Sequence, residues 1–390
     1  MAFRKFKASQ IFDGYTLHQN KVLVTDQKGV VEGLVTEDGA GPDVEWVEGI
    51  LMPGMINAHC HLELSHLKNV IPPHTGLIDF LCSVVTKRNF SDELIQQAIR
   101  DAEEEMYKNG IVAVGDIGNT ADTAAVKSKS NINWQNFVEV LSFTDQQSDK
   151  QIQHYRDVAN NMEAISNANA ASIRTSLVPH APYSISPRTF QWLNEVTAGQ
   201  IISMHNQEHP AEDELYKTGG GDYLKLFRIF GMESSPFPVT GLSSIRSVLP
   251  YFNNGQTILL VHNTYMPEED LIWAEAYAKE NNLNIVYCLC PNANRYIENR
   301  LPDVNQFLKH NVSVVLGTDS YSSNWQLSIA KEMQVLLNET DLSAEQVLSM
   351  ATSIGAKALG LNDMLGSFEK GKQPGIVQLA SDFSSSLRLL

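Results

Sequence analysis

Eight short apolar runs, separated by stretches with helical spacing, limit this chain to few folds. The runs are Ile50–Ala58, Ile111–Asp116, Phe137–Leu141, Ser172–Val178, Ile201–His205, Ile258–His262, Ile285–Cys290 and Val312–Asp319. Strand-like runs alternating with amphipathic helices are the signature of βαβ units and a parallel sheet. Eight of them predict an α/β protein built on a closed (β/α)8 TIM barrel. Between the runs, Asp92–Tyr107 has helical spacing and stops at Asn109-Gly110, a helix-ending pair. Ser343-Ala344-Glu345-Gln346 is a capping box leading into a helix over Val347–Leu359, which Gly360 ends.

The two ends of the chain read differently. From Lys7 to Glu48 short β-rich pieces such as Lys21–Thr25 and Gly33–Thr36 are separated by turns at Asp13-Gly14 and Asp38-Gly39. Gly366–Phe368 and Gly375–Leu379 are again strand-like, and Ser384-Ser385-Ser386 is a short polar tail. The expectation is a small β-sandwich formed from both termini, residues 1–50 and 365–390, with the barrel at 51–364 as an inserted domain. The segment 216–252 is longer than a barrel connection needs and holds Gly219-Gly220-Gly221, Pro236 and Pro238. It is either a lid or an extra packed helix.

A length of 390 residues with 43% hydrophobic content suits one large barrel and a small accessory domain. The net charge of -16 speaks against a phosphate-backbone binder, so no nucleic-acid partner is expected. The positively charged start Met1–Lys7 has no apolar segment of core length behind it. Neither signal peptide nor membrane helix is therefore expected, and the protein reads as cytoplasmic, without a membrane partner. Cys60, Cys82, Cys288 and Cys290 are too scattered for a disulfide framework, and Cys288-x-Cys290 reads as a buried strand carrying thiols.

The chemistry collects at the C-terminal ends of the expected strands, where the working residues of such barrels sit. His59 and His61 end the first run, His180 follows the fourth, His205 and His262 end the fifth and sixth, and Asp319 ends the eighth. Histidines at i and i+2 project from one face of a strand and can grip a single metal ion. Three imidazoles and one carboxylate suit zinc or ferrous iron and leave room for a water that becomes hydroxide near neutral pH. Glu208, three residues past His205, is placed to shuttle a proton between that water and a substrate.

Pro53-Gly54-x-x-Asn57-x-His59-x-His61, His205-x-x-Glu208, Val261-His262-Asn263 and Leu316-Gly317-Thr318-Asp319-Ser320 together resemble the amidohydrolase superfamily, in its cytosine-deaminase and chlorohydrolase-like branch. The resemblance spans nearly the whole chain. It implies a barrel with a terminal β-sandwich, one divalent ion (Zn2+ or Fe2+) held by His59, His61, His205 and Asp319, and Glu208 and His262 as acid/base and water-orienting residues. Binuclear branches usually carry a carboxylated lysine at the end of the fourth strand. Pro179-His180 stands there in this chain, which favours one metal.

His180-Ala181-Pro182-Tyr183-Ser184 is similar to the substrate-facing segment of nucleoside and adenosylhomocysteine deaminases, which makes His180 a substrate contact. His61–His66, followed by Gly76-x-x-Asp79-Phe80-x-x-x-Val84, looks like aminodeoxyfutalosine deaminases of menaquinone synthesis. Glu63 shares the histidines' face if the backbone stays extended, and then meets a purine or ribose. Its other reading is an exposed loop carboxylate. Asn292 and Asn294, in a segment where Ala293 replaces the serine common in relatives, are amide contacts to substrate or simple turn formers. The expected reaction is hydrolytic deamination of an aminopurine nucleoside, with metal-bound hydroxide attacking the amino-bearing carbon and His262 and Asp319 holding it in line. The same site could open a cyclic amide or displace halide from a heterocycle, and an inactive metal-binding barrel is the non-enzymatic alternative. The partner is a small molecule, and a homo-oligomer is allowed.

Overall fold

The computed structural model describes residues 3–169 and 171–390. Its centre is two four-stranded parallel sheets. The first orders Met55–Cys60, Ile111–Gly118, Asn133–Val140 and Ile173–Pro179; the second orders Ile201–Asn206, Thr257–His262, Asn284–Leu289 and Val314–Leu316. We number these core strands one to eight. The two sheets meet along both pairs of edges. At one seam the His205 N–H donates to the His180 carbonyl at 3.0 Å. At the other, the Thr318 and Asp319 amides both donate to the His59 carbonyl at 3.0 Å, and Cys60 pairs in parallel with Asp319. Gly317 permits this second approach, because a Cβ there would lie 2.7 Å from the His59 Cβ. Helices such as Asp92–Lys108, capped by the Ser91 hydroxyl, cover the outside.

The terminal strands form one seven-stranded sheet. It runs from Ser386–Arg388 through Ile376–Leu379, Glu45–Pro53, Phe3–Phe12 and Lys21–Asp26 to Val31–Thr36, with Leu17–His18 beside Phe3–Phe12. The two ends of the chain do pair, Val377 opposite Met52 and Leu379 opposite Ile50. This sheet encloses its own apolar cluster, including Phe6, Ile11, Leu23, Leu51, Phe368 and Ile376.

Several expectations need correction. The run Ile50–Ala58 is two strands rather than one: Glu45–Pro53 joins the terminal sheet and Met55–Cys60 opens the core. The switch is at Gly54, where a Cβ would lie 2.2 Å from Val112 Cγ1 and 2.6 Å from the Pro374 carbonyl, so only glycine lets the chain pass between the sheets. The helix expected over Val347–Leu359 breaks into Ala344–Met350, with the Ser343–Gln346 capping box in place, and Ser353–Ala358. The Thr352 hydroxyl turns back onto the Leu348 carbonyl at 2.6 Å at the break. Gly366–Phe368 is a turn, not a strand, and the polar tail instead contributes the strand Ser386–Arg388. Asp38-Gly39 lies in a single helical turn, Glu37–Ala40. The segment 216–252 holds the helices Tyr223–Ile229 and Ser244–Val248 with Tyr223, Phe227, Phe237 and Phe252 buried, so it is anchored by its aromatics. Among the described residues no helix is long and apolar enough to cross a membrane.

Candidate active site

The C-terminal ends of the core strands bring His59, His61, His205, His262 and Asp319 to one point, all buried. One donor atom each from His59, His61 and His205 lie within 4.8 Å of one another, and so do donors of His59, His262 and Asp319. His61 Nε2 is 3.3 Å from His205 Nε2, and Asp319 Oδ1 is 3.5 Å from His61 Nε2 and 3.6 Å from His59 Nε2. Donors about 2.0–2.1 Å from a common tetrahedral centre stand ~3.4 Å apart, so these separations are those of ligands sharing one ion. Both ring nitrogens of His59 and Nδ1 of His61 are buried without a hydrogen-bond partner, a costly state that a cation relieves at the nitrogens it meets. His205 Nδ1 is 2.7 Å from the His180 carbonyl, which places the proton on Nδ1 and leaves the Nε2 lone pair free. The Ser323 hydroxyl donates to Asp319 Oδ2 at 2.5 Å and aims Oδ1 at the histidines. The donor set therefore fits a divalent cation.

Four residues at these strand ends take left-handed backbone conformations. Gln207 has φ 42°, His262 72°, Asn263 55° and Asp319 56°, left-handed conformations that cost a non-glycine residue about 1 kcal/mol or more each. They turn the chain sharply enough for His205 and Glu208, only three residues apart, to serve one site. Glu208 Oε1 is 3.6 Å from His262 Nε2. Burial, with Asp319, Glu212 and Glu298 nearby, pushes the Glu208 carboxyl well above the usual carboxylate range. Burial lowers His262 to about 3, so its imidazole is neutral at physiological pH.

The sequence-derived substrate contacts divide. Glu63 and His180 line the cleft that opens from the histidine cluster, whereas Asn292 and Asn294 do not. Both asparagines are on the helix Pro291–Glu298, whose first turn points them into the protein. The Asn294 amide nitrogen lies 3.1 Å from His262 Nδ1 and 2.8 Å from Thr264 Oγ1, so this residue braces His262. The Asn292 backbone N–H donates to Glu332 at 2.8 Å. Glu63 sits in a 3-10 turn, Leu62–Leu67, rather than on extended backbone, yet it is buried. Its Oε2 accepts from the Asn119 and Thr120 amides at 3.1 and 3.2 Å and from the Thr120 hydroxyl at 3.0 Å. Burial and the neighbouring Glu139 raise it to about 7. Cys288, on the strand Asn284–Leu289, and Cys290, just past its end, are buried free thiols.

Sequence reasoning missed Glu139, Arg88 and Asn119, all of which line the cleft. Glu139 Oε2 is 2.5 Å from His180 Nδ1, and the Asn119 amide donates to Oε1 at 2.9 Å. Its signal was legible: a carboxylate inside the apolar run Phe137–Leu141 must find a partner when the strand is buried. Burial opposes its charge, but His180, His61 and Asn119 prevail and hold Glu139 at about 2. A carboxylate depressed in the folded state stabilises above its ordinary value of 4.5, and that contribution is lost as pH falls toward 2. Wild type is accordingly expected to exceed Glu139→Gln in stability by on the order of 3 kcal/mol near pH 6, the gap shrinking between pH ~4.5 and ~2. Urea titrations of both proteins across that range measure it.

A parallel α/β core with an imidazole and carboxylate cluster at its strand ends, beside a buried glutamate in a cleft, defines a metal-dependent hydrolase. The chain belongs to the amidohydrolase family, whose model matches residues 50–388, and is a hydrolase acting on carbon–nitrogen bonds. It is similar to the aminodeoxyfutalosine deaminase of Nitratiruptor sp., at 24% identity over 369 residues, 92% of this chain and 87% of that one. The 5-methylthioadenosine/S-adenosylhomocysteine deaminase of Halalkalibacterium halodurans is 24% identical over 399 residues, covering 96% and 82% of the two chains. Among solved structures, Helicobacter pylori aminofutalosine deaminase in complex with methylthio-coformycin aligns with a TM-score of 0.77 at 20% identity, over 97% of this chain and 92% of that one. That likeness gives the fold as TIM-barrel-like α/β.

Proposed function

We propose that the protein is a deaminase that hydrolyses the amino group from the purine of a nucleoside, using one divalent ion, zinc or ferrous iron. The observation that carries the reading is the convergence of His59, His61, His205 and Asp319, with two ligand-edge distances near 3.5 Å, beside Glu208 and His262 at the inner end of a cleft. The relatives named for aminodeoxyfutalosine, methylthioadenosine and adenosylhomocysteine support the substrate class. We read the two parallel sheets as halves of one closed (β/α)8 barrel, because backbone hydrogen bonds cross both seams. The boundary expected at residue 51 moves to Gly54, so residues 54–364 then form the barrel domain. Residues 3–53 and 365–390 form the small terminal β-domain, one seven-stranded sheet around its own apolar cluster.

In this reading His59, His61, His205 and Asp319 hold the ion, which supplies a nucleophile at neutral pH by lowering the pKa of water. Glu208, whose ionised form a divalent cation on the neighbouring donors would favour, would take a proton from the attacking water and give it to the ring nitrogen beside the amino-bearing carbon. His262, kept neutral by burial and braced by Asn294, accepts or donates at the same oxygen and holds its line of approach with Asp319. A carbon–oxygen bond forms and the carbon–nitrogen bond breaks. The amine leaves as ammonia with the second water proton, and the purine keeps a carbonyl. Glu63 and His180 face the remainder of the substrate.

The test is ammonia release by zinc- or iron-loaded protein from adenosine, methylthioadenosine, adenosylhomocysteine, aminodeoxyfutalosine, guanine and cytosine. Release from one or more of the nucleosides, in excess of both free bases, is expected. Release confined to guanine or cytosine, or from none of the six, overturns the reading.

A further inference from the structure

Gln207 stands between His205 and Glu208 with φ 42°, and its polar groups are all engaged. Its N–H donates to Glu212 Oε1 at 2.9 Å, its carbonyl accepts from the Tyr265 N–H at 2.9 Å, and its side-chain amide nitrogen donates to Asp270 Oδ2 at 2.7 Å. Asp213 Oδ1 lies 3.4 Å from that nitrogen, so two carboxylates fix which end of the amide is the donor. The amide oxygen faces the Asn206 side-chain amide at 3.5 Å. Gln207 is buried and borders a hollow separate from the cleft, with Asp213 and Tyr265. The acidic side chains that hold it are held in turn by the segment 216–252. On the helix Ser244–Val248, the Ser244 hydroxyl donates to Glu212 Oε1 at 2.5 Å and the Ser244 N–H to Asp213 Oδ1 at 2.9 Å. Arg246 Nε donates to Asp270 Oδ1 at 2.6 Å, and its Nη2 to the Glu269 carbonyl at 3.0 Å. A carboxylate taken out of water needs partners on both oxygens, and Asp270, buried on the helix Glu268–Glu280, finds them in Arg246 and Gln207.

We propose that Gln207 is a positioning residue for Glu208, and that the segment 216–252 acts through Ser244 and Arg246 as an outer brace for it. The inference rests on the deaminase reading above in taking Glu208 as the proton carrier. A left-handed residue other than glycine relaxes toward negative φ unless its surroundings prevent it. Here the ties to Glu212, Tyr265 and Asp270 prevent it. A relaxed peptide at 207 would swing Glu208 while His205 stays on its strand, where it pairs with Val261 and its N–H donates to the His180 carbonyl. Proton transfer is sensitive to such a swing, since a misplacement of about 1 Å can cost on the order of a hundredfold in rate. The brace therefore bears on turnover and leaves the binding of metal and substrate as it is.

The experiment uses the metal-loaded full chain with Gln207→Gly, which accepts the left-handed backbone but removes the side-chain tie, and Arg246→Ala, which removes the outer one. Both are expected to keep wild-type metal content, to hold KM within about twofold, and to lose about ten- to a hundredfold in kcat. Arg246→Lys, which keeps the cation, is expected to lose about threefold at most. In a Glu208→Gln background, Gln207→Gly is expected to cost nothing further, because it acts through the residue already removed. Amide hydrogen exchange reads the brace without any substrate. Residues 207–209 are expected to exchange about tenfold or more faster in Gln207→Gly and Arg246→Ala, with 201–205 at the wild-type rate. An equal loss in kcat with and without the Glu208 carboxyl, or unchanged exchange at 207–209, overturns the brace and leaves the deaminase reading standing. Wild type silent toward all six compounds named above overturns the deaminase reading, and exchange then decides the brace alone.

Discussion

Replacing Glu208 by glutamine is expected to lower kcat by about 10²–10⁴-fold while metal content stays at the wild-type level. Glutamine keeps the shape and the hydrogen-bonding reach of the side chain but cannot carry a proton between water and ring nitrogen. The same substitution removes a buried carboxyl that burial, Asp319, Glu212 and Glu298 push upward. An acid whose folded-state value is raised contributes its full stability below the ordinary carboxylate range and loses it as pH rises through that range and beyond. Metal-free Glu208→Gln should therefore be at least as stable as metal-free wild type at pH 7, with an advantage that grows from pH 5 to 8. Turnover, elemental analysis and melting curves check the three parts. Near-wild-type turnover removes Glu208 from the proton path.

His205→Ala is expected to lose both metal and measurable activity. His205 is oriented by the His180 carbonyl, and its Nε2 lies 3.3 Å from the His61 Nε2, so alanine removes a donor that the fold has already set in place. A ligand that binds only the folded state stabilises it by about 2.7 kcal/mol at a hundredfold excess over Kd. Chelation should thus lower the melting temperature of wild type and leave that of His205→Ala nearly unchanged. Metal content in the variant equal to wild type refutes the ligand set.

Both predictions concern residues that were visible before any coordinates, and the reason is local. A strand buried on both faces is mostly apolar, so polar residues able to do chemistry stand out where they gather at its C-terminal end. His59, His61, His205, His262 and Asp319 stand out there against the runs that precede them. The spacing of the runs likewise announces a parallel α/β core, because helix and strand periods are properties of short segments. Errors came where two packings compete for one segment. Ile50–Ala58 is equally apolar throughout, and only the contacts of Gly54 with Val112 and Pro374 divide it between sheets. Asn294 has the composition of a substrate contact, and its helix turns it instead onto His262.

The sequence by itself determined the strand and helix rhythm and set the candidate donors His59, His61, His205 and Asp319 at strand ends, since each follows from hydrogen bonding and burial within a few residues. Tertiary structure alone decided that Glu139 holds His180, that Arg88 is taken up by Glu63 and Asn119, and that Gln207 is tied to Asp270. Those pairings join side chains far apart in the chain, and their charges interact strongly only once packing has removed the water between them.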